Sequence, residues 1–111
     1  MSIEGTIYLE AEGGQLSLKQ GGFLTEGTAG YWQIQFSFFG KAWNSLSKTA
    51  VITWSQSGEP KTQHFLLGHS DNFTIPAGLL AEPGAIYIGV FGIGGKAIRL
   101  STNFVRLDVR P

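Results

Sequence analysis

The 111-residue chain contains no cysteine, so a disulfide framework, a thiolate metal site and a thiol nucleophile are all excluded. It also lacks an excess of charge of either sign, because eight basic residues balance eight acidic ones and neither kind is clustered. We expect no nucleic-acid partner, since phosphate binding needs a concentrated basic surface. No run approaches the roughly 18 apolar residues of a membrane span, so no membrane partner is expected either.

Charged residues are scarce, at 14% of the chain, whereas apolar residues make up 42%. This composition favours a folded chain, because enough apolar surface can be buried to offset conformational entropy. We expect a single domain over 1–111, since a second core would bury too little surface. The first residues lack the basic and apolar segments of a secretion signal, which predicts synthesis in the cytoplasm and leaves later incorporation into a particle open.

Short segments rich in β-branched and aromatic residues alternate with turn-forming residues, which predicts strands along most of the chain. The clearest alternation places Trp32, Ile34 and Phe36 on one face of a strand. Two further strands show the same alternation, with Ala50, Ile52 and Trp54 on one face of the first, and Ile86, Ile88 and Val90 on one face of the second. The predicted strands are 6–10, 15–19, 32–39, 48–55, 61–67, 72–75, 85–91 and 97–109, the last with a break near Asn103. This spacing predicts an all-β, immunoglobulin-like antiparallel β-sandwich of seven or eight strands.

Glycine and proline mark the predicted turns between these strands. Gly13-Gly14 and the segment 57–60 favour tight hairpin turns, and 82–84 favours a further turn. The glycine-rich segment 89–96 also predicts a hairpin turn. It does not fit a phosphate-binding loop, because Val90 stands where the first glycine is required and no helix follows.

The residues most suited to catalysis or metal binding are few and poorly spaced. His64, His69 and Asp71 have no regular ligand spacing, so we expect no metal site. Ser70 lies between His69 and Asp71, but neighbours on an extended chain diverge and cannot form a relay of hydrogen bonds. The sequence therefore predicts no catalytic site and no cofactor.

Aromatic residues, at 13% of the chain, are the feature most open to a functional interpretation. Those on the larger apolar alternations are expected in the core: Trp32, Phe36, Phe38 and Trp54. The remainder on weaker or opposite faces are Tyr31, Phe39, Trp43, Phe73, Tyr87 and Phe91. If exposed, they would form a protein interface or a platform for sugar stacking; the alternative is a face covered by loops. We take Trp43, Phe73 and Tyr87 as the candidate contact surface, because they fall at turns or on irregular strand faces.

Four segments occur in a distinctive order over residues 45–111. They are Lys48–Trp54, Phe73–Leu80, Pro83–Gly92 and Arg99–Thr102. In order, these segments are an apolar strand, a proline-centred turn, a glycine-containing strand and a closing strand with arginine and threonine. This series resembles the N-terminal immunoglobulin-like domain of baseplate upper proteins, and related tail proteins, from phages of Gram-positive bacteria.

The resemblance implies a non-enzymatic structural or docking module of a bacteriophage or prophage tail or baseplate, located in the virion. Its partners would be other tail and baseplate proteins, with a homo-oligomer as a further option, since virion proteins dock in repeated copies. The net charge of zero also favours association. The residues alone leave an alternative, a carbohydrate-binding module that recognises bacterial cell-wall polysaccharide through exposed aromatics.

Overall fold

The computed structural model describes residues 5–20, 23–25, 32–80, 84–95 and 97–110. The strands, in chain order, are β1 Thr6–Glu12, β2 Gln15–Gln20, β3 Phe23–Thr25, β4 Gln33–Phe39, β5 Ser47–Gln56, β6 Glu59–Leu66, β7 Asn72–Thr74, β8 Gly84–Gly94, β9 Ala97–Ser101 and β10 Val105–Arg110. Two short 3₁₀ helices, Lys41–Trp43 and Ala77–Leu80, complete the regular structure, and the described residues contain no α-helix. The prediction of an all-β fold is confirmed.

The strands form two sheets. The first has the order β2-β1-β4-β7, and the second has the order β3-β10-β8-β5-β6, with β9 also paired to β8. One edge of β8 pairs with β10 near the start of the strand and with β9 near its end. The other edge of β8 pairs with β5. β8 has eleven residues and is the middle strand of the second sheet, so it can pair with three other strands.

Both sheets contribute alternate residues to one hydrophobic core. The first sheet buries Ile7, Leu9, Ala11, Leu16, Ile34 and Phe36, and the second buries Ala50, Ile52, Ile86, Ile88, Val90, Leu107 and Val109. The faces predicted for β4, β5 and β8 are confirmed by this pattern. Burial of each large aliphatic or aromatic side chain contributes about 1.5–3 kcal/mol, so the core is the main source of stability.

A row of aromatic rings links the two sheets. Phe65 of β6 stacks on Phe73 of β7, with 4.4 Å between ring centroids and 15° between ring planes. The row continues from Phe73 to Phe36 at 6.2 Å and from Phe36 to Phe38 at 5.8 Å. Phe38 then contacts Trp43 at 4.9 Å. Because Phe65 and Phe73 belong to different sheets, their stacking stabilises the packing of one sheet on the other.

The predicted hairpins form where the turn residues place them. Gly13-Gly14 joins β1 to β2. Most of the glycine-rich segment continues β8 as far as Gly94, and this end of β8 pairs antiparallel with β9. Ser57 and Gly58 join β5 to β6 with φ values of 52° and 80°, both positive, as a two-residue type I′ turn requires. Pro60 lies on β6, an edge strand, where a missing N–H leaves no ladder bond unmade.

The break predicted near Asn103 separates β9 from β10 and ties the second sheet to β2. Thr102 keeps contact with β8, since its N–H donates to the Val90 carbonyl at 2.9 Å and its Oγ1 accepts from the Val90 N–H at 3.0 Å. Asn103 Oδ1 accepts from the Leu16 N–H at 2.7 Å, and Asn103 Nδ2 donates to the Leu16 carbonyl at 3.0 Å. One side chain therefore satisfies both backbone groups of Leu16.

Strand pairing differs from the expected antiparallel sandwich in two places. β1 runs parallel to β4, and β3 runs parallel to β10, so the antiparallel prediction is wrong for these pairs. Parallel neighbours need a long connection, and residues 13–32 supply one between β1 and β4. The described residues form ten strands, more than the seven or eight expected, because β3 is unpredicted and the last predicted strand is divided. Tyr31 and residues 82–83 of the predicted turn lie outside the described residues.

Candidate functional site

The outer face of the second sheet is defined by the pairing register. Residues directly opposite one another on neighbouring strands share a face of the sheet. Three rows cross β6, β5 and β8: Leu66, Thr49 and Phe91; His64, Val51 and Gly89; and Thr62, Thr53 and Tyr87. The residues between them, such as Ile52 and Ile88, are buried in the core, so the three rows point away from it.

The ring of Phe104 covers the middle of this outer face. A Cβ atom at Gly89 would lie 3.2 Å from Cε2 and Cζ of Phe104, so the absence of a side chain at Gly89 leaves room for the ring. Phe104 nevertheless keeps 49% of its surface exposed. The glycine therefore seats a large apolar ring on the surface of the sheet.

His64 and Leu66 extend the outer face to the edge strand β6. The imidazole of His64 meets the ring of Phe91 edge to face, with 5.8 Å between centroids and 86° between planes. Leu66 is 76% exposed and Tyr87 is 39% exposed. Exposed apolar groups that lie together in this way mark interaction sites more often than single exposed residues do.

Charge occurs at the border of this face. Arg106 pairs with Tyr87 in the β-ladder, and Asp108 pairs with Ala85, so both side chains lie on β10 beside the aromatic rows. Arg106 Nε lies 3.1 Å from Asp108 Oδ1. An exposed pair of this kind adds little stability, but the two formal charges cancel. The rows on β5, β6 and β8 carry no Asp, Glu, Lys or Arg.

The outer face of the first sheet is polar instead. Its rows across β1, β4 and β7 are Thr6, Gln33 and Thr74; Tyr8, Gln35 and Asn72; Glu10 with Ser37; and Glu12 with Phe39, so its aromatic residues are Tyr8 and Phe39. The Asn72 Nδ2 donates to Gln35 Oε1 at 3.2 Å, and Lys19 Nζ lies 3.5 Å from Glu10 Oε1. A sheet face in contact with water usually carries such polar groups. The second sheet departs from that rule, which makes its outer face the better candidate for contact with another molecule.

Trp43, predicted as part of the contact surface, is a core residue. Its side chain is 2% exposed, so the expectation of an exposed ring is wrong. A Cβ atom at Gly92 would approach Trp43 Cζ3 to 3.1 Å, which shows that the ring packs against the backbone of β8. The Trp43 Nε1 donates to the Gly13 carbonyl at 2.9 Å. Gly92 and Gly13 are both distant from Trp43 in sequence. The local sequence around Trp43 therefore could not show that this turn residue is buried.

The other two predicted contact residues have different surroundings. Phe73 is half-buried in the aromatic row between Phe36 and Phe65, where it links the sheets. Tyr87 lies on the outer face of the second sheet and is exposed. The structure therefore does not bring Trp43, Phe73 and Tyr87 together on one surface.

Phe104, Leu66 and His64 belong to the outer face but were not predicted there. Phe104 lies in the break between β9 and β10, where no alternation indicates the direction of a side chain. For β6 the signal existed, because residues 62, 64 and 66 alternate onto one face of the predicted strand. What the alternation could not supply was the pairing of that face with Phe91 and Tyr87.

A cavity of about 370 Å³ opens at the ends of β5 and β6. Lys48, His69 and Asp71 contribute to its wall, and Lys48 Nζ lies 3.7 Å from Asp71 Oδ1.

Of the residues considered as metal ligands, His64 lies apart from this cavity, on the outer face of the second sheet against Phe91. The described residues contain no group of three or more potential metal ligands. Ser70 Oγ lies 3.4 Å from Asn72 Oδ1, to which it donates a hydrogen bond.

Comparison with known proteins assigns no family, because no family model matches this chain and no curated protein matches it in sequence. The resemblance to phage baseplate proteins therefore stays a prediction. Within the described ranges, none of the helical segments has the length and apolar character needed to span a membrane.

Proposed function

We propose that this chain is a non-enzymatic structural module that docks to other proteins through the outer face of its second sheet. The observation that supports this function is the contrast between the two outer faces. The first carries paired amides and charges beside the separate rings of Tyr8 and Phe39, whereas the second carries Tyr87, Phe91, Phe104 and Leu66 and no charge in its three central rows. Aromatic residues are enriched and charged residues depleted at the centres of protein interfaces. The partner surface that fits this face is apolar and uncharged.

Among the described residues, β6 pairs with β5 alone, and its other edge adds a second docking element to the same sheet. β6 lies at the end of the strand order, and all but one of its residues are exposed. Pro60 and the charged residues Glu59 and Lys61 protect its first half against unwanted pairing. The half from Thr62 to Leu66 has no such protection, so a partner on the outer face can also reach backbone groups of β6.

We place this module in a phage tail or baseplate, as an immunoglobulin-like sandwich, on the basis of the sequence resemblance. The order β10-β8-β5-β6 supports the fold, because it corresponds to the G, F, C and C′ strands of immunoglobulin variable-type domains. The antiparallel pair of β4 and β7 corresponds to strands B and E. The parallel β1 departs from that plan. Virion assembly demands repeated, closely packed docking, which suits an uncharged face.

The virion proposal is tested by inducing the prophage of the source strain and purifying particles on a density gradient. We expect peptides of this chain in the particles at a stoichiometry similar to that of known tail proteins, measured by quantitative mass spectrometry. Absence of the chain from intact particles would overturn the virion assignment.

The docking face is tested separately by a double variant, Tyr87→Ser with Phe104→Ser. We expect it to fold and to enter particles several-fold less efficiently, because apolar contact area is lost. Phe39→Ser is the matched control, since Phe39 is 47% exposed but lies on the first sheet. Equal incorporation of the double variant and the control would show that the second sheet is not the docking face.

A second candidate function is recognition of cell-wall polysaccharide. The cavity at the ends of β5 and β6 favours it, because polar and apolar groups converge there on a concave surface. The exposed rings of Tyr87 and Phe104 offer an additional stacking surface for sugar rings. Purified host polysaccharide should then bind the wild-type chain in a sedimentation assay, and failure to bind would exclude this function.

A further inference from the structure

The cavity beside the second sheet has the size and wall chemistry of a small-ligand site. Its volume of about 370 Å³ lies near the lower end of the range of about 300–1,000 Å³ for small-molecule sites. Leu46 and Leu67 supply apolar wall, and Lys48, His69 and Asp71 supply polar groups. This volume suits one small ring better than an extended chain of rings.

The Lys48–Asp71 ion pair in the cavity wall can still form hydrogen bonds with a ligand. Lys48 Nζ and Asp71 Oδ1 are 3.7 Å apart, which is longer than a hydrogen bond. Their side chains are only 22% and 29% exposed. The ammonium of Lys48 also lies 4.8 Å from the centre of the Phe38 ring, which helps to hold it in place. A ligand that accepts from Lys48 and donates to Asp71 can therefore use both groups without separating them.

Backbone hydrogen bonds fix the wall of the cavity. The Leu67 N–H donates to the Lys48 carbonyl at 2.9 Å, which joins the ends of β6 and β5. The Asp71 N–H donates to the Gly68 carbonyl at 3.1 Å, and the Asp71 carbonyl accepts from the Phe36 N–H at 2.9 Å. Asp71 has a positive φ of 56°, a conformation that its surroundings must hold in place. The backbone that carries the carboxylate is therefore held in place before any ligand arrives.

We propose that this cavity binds one neutral hexose unit of a polysaccharide. Of two adjacent hydroxyl groups, one donates to the Asp71 carboxylate and the other accepts from the Lys48 ammonium, while the C–H face of the ring lies on Leu46 and Leu67. A neutral ligand is favoured because the formal charges of Lys48 and Asp71 cancel, so an anion attracted by one is repelled by the other. This inference rests on the second candidate function and is independent of the docking face.

The test is a titration of the ¹⁵N-labelled 111-residue chain with glucose, galactose, rhamnose and N-acetylglucosamine, followed by NMR. We expect at least one sugar to cause saturable shifts of the Lys48, Gly68 and Asp71 amide signals. Asp71→Asn, which tolerates the positive φ, and Lys48→Met should each weaken binding at least tenfold. The control variants Glu10→Gln and Lys19→Met remove the partners of a different, exposed ion pair and should bind like the wild type.

Two outcomes would overturn the assignment of the cavity. One is the absence of saturable shifts with all four sugars, and the other is unchanged affinity of the Asp71→Asn variant. Sedimentation with purified host polysaccharide separates the two levels of the proposal. If the polysaccharide binds wild type and Asp71→Asn equally, glycan recognition stands and the cavity is the wrong site. If it binds neither, both the site and the second candidate function are wrong.

Discussion

Replacing Asn103 with alanine removes the side chain that joins β2 to the strand break of the second sheet. Two hydrogen bonds to the backbone of Leu16, at 2.7 and 3.0 Å, are lost. Each such bond contributes about 0.5–1.5 kcal/mol net, and water replaces part of it because Asn103 is exposed. We therefore expect the free energy of unfolding to fall by about 1 to 2 kcal/mol. For a chain of this length, Tm falls by about 4 °C for each kcal/mol.

The assay is equilibrium unfolding in urea followed by tryptophan fluorescence, with the m-value checked for a change in the surface exposed. Asn44→Ala is the matched control, because the backbone N–H of Asn44 makes its bond to the Lys41 carbonyl at 3.1 Å. That bond survives the substitution, so the control should stay within about 0.5 kcal/mol of the wild type. An Asn103→Ala protein as stable as the control would refute the role of Asn103 in joining the sheets.

Three further substitutions test the packing and the face. Gly92→Ala would place a Cβ atom 2.7 Å from Leu46 Cδ1, so stability should fall by about 1–3 kcal/mol in thermal unfolding. Gly78→Ala has nothing within 4 Å of the new atom and should leave stability within about 0.5 kcal/mol; equal losses would contradict the packing at Gly92. Trp43→Phe loses the indole hydrogen bond and leaves a small cavity in the core, so it should cost about 2–3 kcal/mol in urea while incorporation into particles is unchanged. Tyr87→Ser should lower stability by no more than about 1–2 kcal/mol, because the ring is 39% exposed, and a larger loss would show that Tyr87 serves mainly the fold.

The local pattern of the sequence predicted the features that depend on neighbouring residues alone. The alternation of Ile86, Ile88 and Val90 correctly identified the buried face of β8, since period-two burial needs no knowledge of the partner strand. The Ser57-Gly58 turn was predictable for the same reason, because its positive φ values are a property of the turn itself. The break at Asn103 interrupts an otherwise regular apolar pattern.

The features that the sequence could not predict depend on contacts between residues that are distant in the chain. β3 is three residues long and pairs with β10, so no local pattern identifies it. Trp43 is buried because Gly92 and Gly13 accept its ring and its N–H from distant parts of the chain. The apolar outer face of the second sheet has the same origin, since Phe104 reaches it from a strand break and covers Gly89 of β8.

The docking face itself is tested most directly by hydroxyl-radical footprinting of the chain, free in solution and within purified particles. We expect oxidation of Tyr87 and Phe104 to fall several-fold in the particle, because a partner covers the outer face of the second sheet. Oxidation of Phe39, exposed on the first sheet, should fall much less. Equal oxidation of Tyr87 and Phe104 in the two states, in a particle that contains the chain, would contradict docking through this face.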